Sequence, residues 1–142
     1  MGQCYNSIVI KASAEDVWNK IKSFHDLSWA PKVITSVEVI GDRGAAEVGA
    51  RRKLNNAFEE TLTVFDEQGR TFSYSIDDGP GPVAAGAVKN YIGKVTIFPV
   101  TATGESFVTW ASTYESENED AVSEFCNPIY QALLGDLAAQ FN

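Results

Sequence analysis

The last quarter of the chain constrains the fold most, because residues 117–141 carry apolar side chains at the three-and-four spacing of one helix face. Val122, Phe125, Ile129, Leu133 and Leu137 share that face, and Ser116 with Glu119 forms an S-x-x-E capping box ahead of it. From Val33 onward, the preceding region alternates with period two, as strands buried on one side do. Laid across a curled antiparallel sheet, such a helix encloses a space suited to small molecules.

Residues 4–11 read as a first strand, and Ser13 followed by Asp16 signals a helix start. Ala14, Val17, Trp18, Ile21 and Phe24 mark the apolar face of that helix. Pro31 blocks its continuation, so residues 26–31 form a turn or a second small helix, with Trp29 packed under the corner. Alternation then groups Val33, Thr35, Val37 and Val39; Ala50, Arg52 and Leu54; and Phe58, Glu60, Leu62 and Val64. After a turn at 66–69, Phe72, Tyr74 and Ile76 face inward, residues 77–86 form a Gly/Pro-rich loop, and strands span 88–100 and 106–115. Strands and helices are segregated along the chain, which predicts a single α+β domain over residues 1–142.

Composition removes several functions. A net charge of -8 and a pI near 4.5 oppose binding to a phosphate backbone or an anionic membrane surface. No apolar stretch approaches the length of a membrane span and no export signal is recognisable, so no membrane insertion, no nucleic acid and a cytoplasmic location are expected. Cys4 and Cys126 lack the spacing of a zinc or redox motif and read as reduced, buried thiols, although a disulfide between first strand and last helix is geometrically open. His25 is the only histidine and sits where a helix ends. Neither a metal site nor a cofactor is expected.

Polar residues at inward positions are the informative irregularity. Glu60 is in register with Phe58, Leu62 and Val64, and a tight connection at residues 55–57 places Arg52 opposite it and Leu54 opposite Phe58. Either the pair lies in the interior, or Glu60 sits at a wet rim and forms a cross-strand ion pair. Tyr91, Gly93, Val95 and Ile97 share a face with a gap at the glycine, and Trp110 shares the parity of Val108, Ser112 and Tyr114. Pro128 either follows an Asn127 cap in a second helical segment or kinks one continuous helix.

Ala14-Glu15-Asp16-Val17-Trp18 with Phe24 and Trp29, Val48-Gly49 with Arg52, Glu60-Thr61-Leu62 with Asp66, Tyr74, Asn90-Tyr91 and Thr109-Trp110 resemble the polyketide cyclase/dehydrase group of the START-like (SRPBCC) superfamily. The resemblance implies a helix-grip fold: a seven-stranded antiparallel sheet wrapped around the C-terminal helix, with two short helices after the first strand and a hydrophobic cavity inside. The spacing is also similar to the plant abscisic-acid receptors, whose pocket glutamate and tyrosine match Glu60 and Tyr91 and whose hormone-facing helix positions match Phe125, Ile129 and Leu133. Their pocket lysine falls at Thr35, their gate loop is replaced near residues 55–57, and their latch histidine has no counterpart in residues 78–82, so hormone reception of that kind is not implied. The expected role is binding of a small, largely hydrophobic molecule (lipid-, polyketide- or isoprenoid-like) by Thr35, Arg52, Leu54, Glu60, Leu62, Tyr74, Tyr91, Trp110, Phe125, Ile129 and Leu133. The alternative is a cyclase/aromatase or dehydratase with Glu60 as acid or base and Tyr91 polarising a carbonyl.

Overall fold

Local signals set where the elements begin and end in the computed structural model, which describes residues 1–142. Strand β1 (Gly2–Ile10) leads into helix α1 (Ala14–Ile21), capped by the Ser13 hydroxyl accepting from the Asp16 amide at 3.1 Å. Beyond α1, no second helix forms: residues 24–33 make successive turns, closed by Ala30 N–H to the Leu27 carbonyl (3.0 Å) and Val33 N–H to the Ala30 carbonyl (3.2 Å). Pro31 lacks the amide that a helix through this stretch would use.

Six strands follow: β2 (Val37–Ile40), β3 (Arg51–Leu54), β4 (Phe58–Asp66), β5 (Thr71–Asp78), β6 (Lys89–Val100) and β7 (Glu105–Glu115), with a single 3-10 turn at Gly81–Val83. They form one antiparallel sheet in the order β1-β7-β6-β5-β4-β3-β2. Strand β2 starts four residues later than the alternation implied, because Asn55 holds the chain before it. The Asn55 side chain donates to the Val33 carbonyl (2.9 Å) and accepts from the Thr35 amide (2.7 Å).

The β3–β4 connection fixes the register that matters. Asn55 and Asn56 take φ of 54° and 53°, a left-handed conformation that asparagine tolerates, and Ala57 N–H bonds the Leu54 carbonyl at 2.9 Å. Arg52 therefore pairs with Glu60 and Leu54 with Phe58, the expected partners.

Helix α2 (Glu119–Ala139) crosses the sheet, with Val122, Cys126, Tyr130, Leu133, Leu134 and Leu137 buried against it. Its cap is Asn118 rather than Ser116: Asn118 Oδ1 accepts from the Ala121 amide at 3.1 Å, and Ser116 instead links the Ala87 carbonyl to the Asn118 amide. The helix continues through Pro128, and the Asn127 side chain is engaged with Asn6 of β1 (2.9 Å) rather than capping a new segment. Phe24, Trp18 and Phe72 pack as a cluster where α1 meets the sheet.

Candidate functional site

The concave side of the sheet and helix α2 enclose a cavity of about 190 Å³. Its wall is mostly apolar: Leu27, Val33 and Ile34 from the turns before β2, Leu54, Phe58 and Ile76 from the sheet, and Ile129 and Leu133 from α2. Arg52, Asn55, Glu60, Tyr74, Trp110, Cys126 and Tyr130 complete it and concentrate the polar chemistry. A larger groove of about 640 Å³ lies outside, between residues 82–89 and the start of α2. Its lining is mostly exposed and holds no buried polar side chain, which makes it a surface feature.

Arg52 and Glu60 are only 3% and 5% exposed, so the ion pair lies in the interior. Arg52 Nε and Nη2 both approach Glu60 Oε1, at 2.9 and 2.7 Å, and Nη1 donates to the Phe24 carbonyl at 2.8 Å. The guanidinium also lies 3.9 Å above the Phe24 ring centre, which fixes its plane. Both cationic donors converge on one carboxylate oxygen, leaving Oε2 without a protein donor. Burial raises the Glu60 pKa, and the attraction of Arg52 offsets this only in part.

Beside this pair runs a chain of buried hydroxyls. Trp110 Nε1 donates to the Tyr74 hydroxyl (2.8 Å), Tyr74 donates to Tyr130 (3.1 Å), and Tyr130 is hydrogen-bonded to Tyr91. Burial pushes all three phenols upward in pKa, so they remain protonated donors across the physiological range. Gly93 makes the arrangement possible, because a Cβ there would sit 2.3 Å from Tyr74 Cζ. The gap in the β6 alternation is filled by the Tyr74 ring.

Among the residues expected at the site, Arg52, Leu54, Glu60, Tyr74, Trp110, Ile129 and Leu133 line the cavity. Tyr91 stands one phenol behind the wall, in contact with Tyr130, and Leu62 is buried in the core opposite Tyr74 on the neighbouring strand. Phe125 is half-buried and stacks on Phe58, with ring centres 6.3 Å apart. Thr35 is exposed, its amide bound to Asn55, and is not part of the wall. No residue of 77–86 reaches the cavity. Sequence reasoning passed over Cys126 and Tyr130, which lie four and eight residues after Val122 on the buried stripe of α2. Cys4 and Cys126 are free, buried thiols, and no grouping of side chains suited to a metal ion is present.

Along its entire length, residues 1–142, the chain matches the family described as polyketide cyclase / dehydrase and lipid transport. It belongs to that family. This places it in the START-like superfamily, with which the sheet order and long closing helix agree. A solved structure from Nitrosospira multiformis is 45% identical, with a TM-score of 0.96 over 99% of this chain and 96% of its own. The protein XoxI of Bacillus cereus is 27% identical with a TM-score of 0.81, over 99% and 96% of the two chains. Norcoclaurine synthase of Thalictrum flavum, solved with dopamine and hydroxybenzaldehyde, shares the fold at 16% identity, with a TM-score of 0.75 over 97% and 84%. No curated protein matches the chain.

Proposed function

We propose that this polyketide cyclase / dehydrase and lipid transport family member binds one small, largely hydrophobic molecule between the sheet and α2. The observation that carries this reading is the composition of the 190 Å³ space, an apolar wall with polar groups gathered around Glu60, Arg52, Tyr74 and Tyr130. An apolar wall favours ligand carbon by releasing water, and a few fixed polar groups set orientation. The volume suits a compact molecule rather than a long acyl chain. The description of the family as cyclase, dehydrase and lipid transport supports the same class of ligand.

Native mass spectrometry of the protein purified from its own host tests the proposal. A retained small molecule, lost when Leu133→Trp fills the cavity, is the expected result. Retention unchanged by that substitution would place the molecule elsewhere.

A further inference from the structure

Two thiols meet at the cavity wall, and ligand binding as proposed above gives neither a role. Cys4 of β1 and Cys126 of α2 are 2% and 3% exposed, and their side chains hydrogen-bond each other although they come from opposite ends of the chain. The elements that carry them are tied on both sides of the pair. Asn6 donates to Asn127 Oδ1 at 2.9 Å, and the Tyr114 hydroxyl donates to the Glu119 carbonyl at 3.2 Å. Thiols held in such contact need only a small side-chain movement to bond.

A third group completes the cluster. Ser112 is the register partner of Cys4 on β7, is 3% exposed, and its hydroxyl has no nitrogen or oxygen partner. An unclaimed buried hydroxyl is costly, and here it supports negative charge on the Cys4 sulfur. The contact with Cys126 also favours the Cys4 thiolate, whereas that contact and burial push the Cys126 thiol up. Loss of one proton from the pair therefore leaves Cys4 as acceptor of the remaining Cys126 S–H.

Of the two sulfurs, only that of Cys126 belongs to a residue lining the 190 Å³ cavity, whose wall includes the half-exposed Val33, Ile34, Phe58 and Ile129. A space of this size admits a small, uncharged oxidant and shuts out a bulky, charged disulfide. We propose that Cys126 and Cys4 form a dithiol site that reduces a small hydroperoxide entering by the cavity and closes to a disulfide joining β1 to α2. The Cys126 sulfur attacks one peroxide oxygen: an S–O bond forms, the O–O bond breaks, hydroxide leaves and the Cys126 proton passes to Cys4. The Cys4 sulfur then attacks the Cys126 sulfenic acid, so that an S–S bond forms, the S–O bond breaks and water leaves with the Cys4 proton. Each sulfur gives up one electron, and hydrogen peroxide ends as two waters once hydroxide recovers the proton first released by the pair.

The test mixes the full reduced chain with hydrogen peroxide near pH 7 and reads intact mass and peptide maps. Expected are loss of two hydrogens per chain, a linked Cys4–Cys126 peptide pair and recovery of the starting mass with dithiothreitol. The rate should exceed that of free glutathione by about tenfold or more. Leu133→Trp, which narrows the cavity, should slow the reaction several-fold. In Cys4→Ser the reaction should stop at a Cys126 sulfenic acid that dimedone traps, and in Cys126→Ser dimedone should leave Cys4 unlabelled. Thiols of the wild type that react no faster than glutathione, react only after urea has unfolded the chain, or link only between chains overturn the site, whatever the variants do. Label on Cys4 in Cys126→Ser with none on Cys126 in Cys4→Ser overturns the choice of Cys126 as the sulfur attacked, and a rate unchanged by Leu133→Trp overturns entry by the cavity. None of these readings depends on whether a hydrophobic ligand is retained.

Discussion

At the scale of single residues, Arg52 and Glu60 are unequal partners. Removing Arg52 leaves a carboxylate at 5% exposure that can take up a proton, whereas Glu60→Gln leaves the guanidinium, at 3% exposure, charged and facing only a neutral amide oxygen. Glu60→Gln should cost about 3–5 kcal/mol in urea unfolding at neutral pH, and Arg52→Met less than an unpaired fixed charge would. The pH dependence has a definite sign. Glu60 has a folded pKa above its unfolded one, so its contribution is complete at acid pH, below the unfolded value. As pH rises between the two values the folded state holds a proton that the unfolded state has released, and stability falls. The stability of wild type relative to Glu60→Gln should therefore decrease as pH climbs above the ordinary carboxylate range. An increase instead would mean that Arg52 outweighs burial at this site.

At the scale of elements, legibility tracked how local the determining interaction is. The Arg52–Glu60 pairing was readable because period-two alternation and a tight Asn55-Asn56 connection leave one register, and both signals lie within nine residues. Strand β2 was read too long because the alternation at Val33 and Thr35 is real, but Asn55, about 20 positions on, captures that backbone. The closing helix was placed within two residues at either end, and Val122, Leu133 and Leu137 of the face read for it are buried, but Cys126 and Tyr130 lie a single position, about 100° of rotation, beyond Phe125 and Ile129. Tyr130 was missed for that reason, and Phe125, read as inward, stacks on Phe58. Gly93 was noticed as a gap without its occupant. Gly93→Ala would push the new methyl into the Tyr74 ring, 2.3 Å away, and β6 cannot yield without disturbing its pairing with β5 and β7. A loss of about 1–3 kcal/mol is expected in chemical denaturation. Because Tyr74 must shift, the variant should also weaken binding of any ligand that hydrogen-bonds Tyr130, a change that a purely structural glycine would not produce.

For the whole molecule, access to the cavity depends on which wall is incomplete. Most of the lining is buried, but Val33, Ile34, Asn55, Phe58 and Ile129 are half-exposed, and they come from three places: the turns before β2, the β3–β4 hairpin and the middle of α2. Those residues mark the mouth, and residues 77–86, the expected rim, do not line the cavity, although Gly79 lies beside the Phe58 ring. One residue ties two sides together, because Asn55 joins the hairpin to residues 33–35 through its side-chain amide and carbonyl. Its backbone N–H adds a bond to the Ser36 carbonyl at 2.9 Å. Asn55→Gly keeps the left-handed backbone accessible while deleting both side-chain links, so it separates the latch from turn geometry. Hydrogen exchange at the Thr35 amide should accelerate in that variant, and ligand association and dissociation should both quicken because the mouth opens more often. In wild type, a bound ligand should slow exchange across residues 33–36 and 55–58 and leave residues 77–86 unchanged. Protection confined to residues 77–86 would move the mouth to that loop and remove Asn55 from control of it.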